Sequence, residues 1–153
     1  MTARKKFCYD YPRPAVTVDI VVLTREEKPR VLLIRRKQDP FAGKWAIPGG
    51  FVNMDEDLES AARRELQEET GVQAGQLEQL HTFGDPNRDP RGRTISVAYI
   101  TRVDADQVQP KAADDAAEVG WHSLSRPPAL AFDHAKILAC ARQRLQEKEK
   151  TGS

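Results

Sequence analysis

Cysteine is nearly absent from this chain: there are two in 153 residues, Cys8 and Cys140, near opposite ends and in no paired metal-ligand spacing. Two free thiols fit a reducing compartment, and a cytoplasmic location is the expectation. Long apolar runs are also missing. The basic start, MTARKKFCYDYPRP, is followed by no apolar stretch of secretory-signal length. Nothing approaches the roughly 20 apolar residues of a membrane span, so no membrane partner is expected. Charge of one sign is not in excess, since 24 Lys and Arg face 23 Asp and Glu for a formal charge of +1. That balance argues against a protein whose main work is gripping nucleic-acid backbones. There is no internal repeat. His81, His122 and His134 are scattered, no two of them at metal-ligand spacing, and they are given no catalytic role.

What is present suits one compact domain over 1–153: hydrophobic residues at 39% can build a core beneath a surface drawn from 31% charged residues. Residues 1–14 form an N-terminal arm. Residues 15–23 (AVTVDIVVL) are rich in β-branched side chains and read as a strand with Val16, Val18, Ile20 and Val22 on one face. TREEKP turns the chain into a second strand, 30–36. The loop KQDPFAGK leads to a short apolar piece at 45–47, and the PGG at 48–50 breaks regular structure there. Strands are predicted at 77–83, 94–103 and 119–122, with an acidic loop over 104–117. A terminal helix is predicted over 129–148, where Phe132, Ile137, Leu138, Ala141 and Leu145 recur at helical spacing.

The segment 50–72, GFVNMDEDLESAARRELQEETGV, holds the most information. A helix is predicted over 57–70. Asp55 and Asp57 are plausible caps, and Gly71 is a natural stop because glycine tolerates positive φ. At about 100° per residue, Leu58, Ala61 and Ala62 form the inward stripe, with Leu66 at its edge. Glu65 and Glu69 fall inside that stripe and Glu68 at its other edge, where an ordinary amphipathic helix would be apolar. Two carboxylates about 5 Å apart at an effective dielectric near 20 repel by roughly 3 kcal/mol. Something cationic should offset this, and Arg64 projects from a neighbouring face. Hard divalent cations want clustered oxygens, and Mg²⁺ binds a few carboxylates together with substrate phosphates. The residues therefore point to a metal site beside a phosphate-binding loop.

The same segment resembles the Nudix box in full: Gly50, five residues, Glu56, seven residues, Arg64-Glu65-Leu66, one residue, Glu68-Glu69, one residue, Gly71-Val72. WAIPGG before it and the later strands up to Trp121 are also similar to that family. The resemblance implies a Nudix-type α/β/α sandwich with a mixed central sheet, and a Mg²⁺-dependent hydrolase, with Mn²⁺ as an alternative ion. It implies Glu65 and Glu69 as metal ligands, Glu68 as ligand or orienter, and the Gly49 carbonyl completing the set. Glu56 and Arg64 would form a structural ion pair. The general base varies within the family; Glu68 is one candidate, and Asp115 and Glu118, ranked above Asp114, are the others.

The loop FGDPNRDPRGRTISVAY and the run YPRPAVTVD resemble the branch acting on ADP-ribose and other nucleoside diphosphate sugars. Arg36 and Arg93 are candidate phosphate or ribose contacts, because a guanidinium meets phosphate with a planar fork. Trp45, Tyr9 and Tyr11 could stack on a base, although Trp45 is more readily a core residue. A small nucleotide is the expected partner, and the aromatic arm leads to an expected homodimer. The competing readings are another Nudix substrate, such as a nucleoside triphosphate or dinucleoside polyphosphate, and a nucleotide-sensing module. The filled box and a chain that ends about thirty residues after Trp121 weigh against sensing alone.

Overall fold

The computed structural model describes residues 6–113 and 116–151. Its centre is β1 (Ala15–Thr24), whose β-branched run is buried on both sides from Val18 to Leu23. A strand covered on both faces needs no alternation, which is why its apolar residues are nearly continuous. β1 pairs in parallel with β6 (Thr94–Val103) and antiparallel with β2 (Arg30–Arg36). β3 (Trp45–Ala46) joins β2, and β5 (Glu78–Phe83) joins β6, giving the order β3-β2-β1-β6-β5. Two further strands lie off that path: β4 (Gly49–Phe51) pairs with β1, and β7 (Ala116–Ser123) pairs with β2.

Each face of this mixed sheet is covered by one helix. Helix α1 (Leu58–Thr70) packs Ala61, Ala62 and Leu66 against Val18, Ile20, Val22 and Leu32. Helix α2 (His134–Lys150) packs Ile137, Leu138 and Ala141 against Val21, Leu23, Val31 and Leu33. Alternate residues of β1 thus serve opposite cores, and the expected α/β/α sandwich is the architecture found. Each fully buried Leu or Ile contributes roughly 1.5–3 kcal/mol relative to exposure.

Some boundaries differ from the sequence reading. PGG does not end regular structure, because Gly49 and Gly50 form β4 opposite Asp19 and Val18 of β1. A side chain at Gly49 would collide with the Val18 carbonyl and lie 2.6 Å from Asp19 Oδ1, so glycine permits a pairing that other residues would block. The last strand begins at Ala116, not 119, the acidic loop before it contains a 3-10 turn, Ala105–Gln107, and the terminal helix runs over His134–Lys150 rather than 129–148. Leu58 and Val16, expected inside, are each 36% exposed, since the first turn of α1 and the start of β1 run past the core.

Helix α1 starts where Asp57 accepts the Ser60 N–H at 2.8 Å, which decides between the two possible caps. It stops at Gly71 (φ 73), whose N–H donates to the Gln67 carbonyl. No atom would crowd a Cβ at Gly71, so the penalty for replacing it is purely conformational. We expect Gly71→Ala to cost about 1 kcal/mol and Gly71→Asn distinctly less. Urea unfolding midpoints would check this, and equal losses for the two variants would contradict it.

Candidate functional site

A cavity of about 460 Å³ opens where α1, β4, the end of β2 and the start of α2 meet. Helix α1 supplies Glu65, Glu68 and Glu69 to its lining, and the remainder includes Asp19, Arg36, Arg91 and His134.

Glu69 is 8% exposed, and its Oε1 accepts the Gly49 N–H at 2.8 Å. Burial pushes its pKa up to about 8; the Gly49 N–H opposes this, and the charges of Glu65 and Asp19 reinforce it. Burial also raises Glu65, which Arg64 partly counters. Arg64 reaches further than its position on the helical wheel suggests. Its guanidinium contacts Glu56 (2.9 Å from Nε), Glu65 (2.8 Å), Glu68 (3.2 Å) and the Phe51 carbonyl (3.1 Å). The long side chain bends back over its own turn, correcting the expectation that Arg64 could not offset these carboxylates. The predicted Glu56–Arg64 pair is present. Arg64, together with the Asn53 N–H, holds the Glu56 carboxyl down to about 2.

Beneath Glu69 lies a second buried network. Asp19 is 6% exposed and accepts the Ser96 hydroxyl, and its other oxygen is 3.6 Å from His134 Nε2. His134 Nδ1 accepts the Ile47 N–H at 3.0 Å, so in the neutral ring the proton sits on Nε2, facing Asp19. Burial lowers the pKa of His134, against the pull of Asp19 and Asp133. Residues 47–49 are therefore suspended between His134 at one end and Glu69 at the other.

Against known proteins, a family model of the NUDIX domain matches residues 13–141. The chain belongs to the Nudix family. It is 44% identical to an ADP-ribose pyrophosphatase of Methanocaldococcus jannaschii over 84% of this chain and 73% of that protein. It is 35% identical to an ADPR responsive transcriptional repressor of Acinetobacter baylyi over 91% of this chain, but spans only 57% of that protein's length. Among solved structures, the NUDIX domain of Shewanella oneidensis NrtR complexed with ADP ribose superposes with a TM-score of 0.80 at 35% identity. That match covers 90% of this chain and 94% of the other.

Of the Nudix residues anticipated from the sequence, Gly49, Glu65, Glu68, Glu69 and Arg36 line one cavity. Trp45, Arg93 and Glu118 are not in that lining. Trp45 packs against the core beneath α2, edge-on to His122 at 4.4 Å between ring centroids. Arg93 Nη1 donates to the Asp85 carbonyl at 3.5 Å. Glu118 lies on β7, 3.5 Å from Arg35. Asp114 and Asp115 lie outside the described residues. Sequence reasoning missed Asp19, Asp89, Arg91, Phe132 and His134. For Asp19 a signal existed: one acid in the middle of an otherwise apolar strand. The other four sit in loops or at a helix start, where spacing says nothing about direction.

Among the described residues, no three His, Cys, Asp or Glu side chains stand gathered closely enough to hold a metal ion as they are. The chemistry of the site nevertheless fits a hard divalent cation. Its donors are all oxygens, two carboxylates one turn apart lie against the glycine backbone of β4, and Glu69 is charged only at a penalty that a cation would remove.

Two predictions follow from this arrangement. The folded-state pKa of Glu69 is raised, so without metal its stabilising contribution is complete below about pH 4.5 and lost as pH rises through about 8. In EDTA the wild-type melting temperature should fall over that interval. Glu69→Gln keeps an oxygen acceptor for Gly49, and should melt at the same temperature or higher with a flatter pH profile. A variant less stable than wild type at pH 8 would refute this. The second concerns Gly50, where a Cβ would sit 2.5 Å from the Glu65 carboxylate. Gly50→Ala should displace Glu65 and weaken divalent-cation binding while leaving most of the thermal stability. Calorimetric Mn²⁺ titration beside a thermal melt measures both.

Proposed function

We propose that this Nudix protein hydrolyses the diphosphate of nucleoside diphosphate sugars, ADP-ribose foremost, with Mg²⁺ or alternatively Mn²⁺. The products are a nucleoside monophosphate and a sugar phosphate. The supporting observation is a single cavity that combines a carboxylate face on α1 with the guanidinium of Arg36, in a chain 44% identical to an ADP-ribose pyrophosphatase.

In this reading Glu65, Glu69 and the Gly49 carbonyl hold the cation, with Glu68 as a further ligand or orienter. When bound, the ion supplies positive charge against the diphosphate oxygens and makes water more acidic. Arg36 grips a phosphate through its planar fork. Arg64 keeps Glu65 and Glu68 in place without engaging Glu69. His134 and Asp19 fix residues 47–49, and through them the atoms of Gly49 that face α1. For the proton of the attacking water we favour Glu68, which lines the cavity and is 47% exposed in its side chain. Asp115 and Glu118 remain the competing bases.

The chain's wider setting is part of the same proposal. Free Cys8 and Cys140 suit a cytoplasmic protein. The balanced charge suits a small nucleotide partner more than a nucleic acid. Phe7 (55% exposed) and Tyr11 (80%) on the arm suit burial against a second copy, as a homodimer. No helix among the described residues is long and apolar enough to cross a membrane. Similarity to a transcriptional repressor keeps one other reading in view, a domain that binds ADP-ribose without cleaving it.

The test is a metal-dependent assay over a panel of nucleotides with products identified by mass. ADP-ribose should yield AMP and ribose 5-phosphate. Binding without turnover would favour the sensing reading, and turnover of a triphosphate alone would overturn the substrate assignment. Glu69→Gln should lose at least about a hundredfold in kcat, or about 2.7 kcal/mol at the barrier. Glu68→Gln should lose far more activity than Glu118→Gln, and the reverse order would move the base to β7.

A further inference from the structure

Four side chains in the cavity lining stack as a column of alternating rings and guanidiniums: Phe51, Arg91, Phe132 and Arg36. The Arg91 guanidinium carbon lies 4.8 Å from the Phe51 ring centroid and 5.2 Å from that of Phe132, and the Arg36 carbon lies 5.0 Å from Phe132. Phe41 closes edge-on against Phe132 at 4.8 Å. The members come from β4, the loop between β5 and β6, the residue before α2's N-cap and the end of β2, so tertiary structure alone assembles them.

Two features indicate that the column is held deliberately. Asp89 is 4% exposed, and its carboxylate accepts from Arg91 Nε (3.1 Å), Nη2 (2.8 Å) and the Arg91 backbone N–H (2.9 Å). A carboxylate is costly to bury, and here its hydrogen bonds fix the plane of one guanidinium. Phe132 has φ 52, in the left-handed region that a bulky side chain seldom occupies. Such strain persists only where the surroundings enforce it, and it gathers at ligand sites.

The charge balance at the Arg91 end of the column sets what that end can recognise. Asp89 neutralises Arg91 through a two-point ion pair, leaving a flat and nearly neutral surface with little grip on phosphate. Phe51, beside it, lines the cavity and is 44% exposed. A planar, uncharged aromatic ring is the chemical group that such a surface recognises, and a nucleoside diphosphate carries one. We propose that Phe51, backed by Arg91, is the platform on which the substrate's nucleobase stacks. Arg91 then determines specificity by fixing the ring and polarising its face. This rests on the nucleoside diphosphate reading above.

The experiment compares inhibition of ADP-ribose turnover by AMP, which carries a base, and by ribose 5-phosphate, which does not. In Phe51→Leu the KM for ADP-ribose and the Ki for AMP should rise about tenfold or more, while kcat and the Ki for ribose 5-phosphate change little. Phe51→Tyr keeps the ring and should restore wild-type values. Arg91→Lys keeps the charge without the plane and should behave like Phe51→Leu. Equal weakening of both inhibitors, no weakening of AMP, or a fully active Arg91→Lys would each overturn the platform. Failure of wild type to cleave ADP-ribose would count against the functional reading alone. The platform is then tested with the base-bearing and base-free products of the nucleotide it does cleave.

Discussion

The carboxylate of Glu69 is buried between α1 and the β1–β4 pair and, among the described residues, is tied to the chain through one backbone N–H, that of Gly49. One such bond does not replace the hydration lost on burial, and two further acids, Glu65 and Asp19, add their repulsion. The nearby architecture is arranged around this charge, which the Gly49 N–H and the Arg36 guanidinium relieve only in part. Arg64 neutralises Glu56 and steadies Glu65 and Glu68, so the excess of negative charge remains concentrated at the inner end of the helix. A fold gains nothing in stability by keeping such a group, which is why its presence speaks for a ligand.

The surrounding elements make the approach of Glu69 to Gly49 possible. β1 is buried on both faces from Val18 to Leu23, which gives the short β4 a well-packed partner. Glycines at 49 and 50 let β4 come so close to β1 and to Glu65 that side chains there would collide. Asp57 and Gly71 fix both ends of α1, setting which residues of its turns face inward. On the far side of β1, Asp19 and His134 hold residues 47–49 from below. The two cores are therefore coupled at this one segment, each helix contributing one of its two anchors.

Much of this was legible in the sequence, and the reasons differ from place to place. β1, β2 and β6 announced themselves by β-branched composition, and α1 by its caps and its 3.6-residue period. The acids in the inward stripe of α1 were readable because spacing alone puts them on the buried face. β4 was not readable, since two glycines after a proline look like a break unless the strand they approach is already known. Arg64 was misjudged because a helical wheel records where a side chain starts and ignores the reach of four flexible bonds. Arg93 was singled out where Arg91 lines the cavity, because a loop has no period from which to infer direction. His134 resembled any solitary histidine until the fold brought its ring to Ile47 and Asp19.

We propose that Glu69 is a strained acid whose charge awaits a divalent cation. Carbon-detected NMR of glutamate-labelled protein, with Glu69→Gln used to assign the signal, would follow that one carboxyl through a pH titration with and without Mg²⁺. Protonation is expected near pH 8 in EDTA, with a fall well below the ordinary glutamate range when Mg²⁺ is present. A Glu69 that titrates near pH 4.5 in both conditions would contradict it.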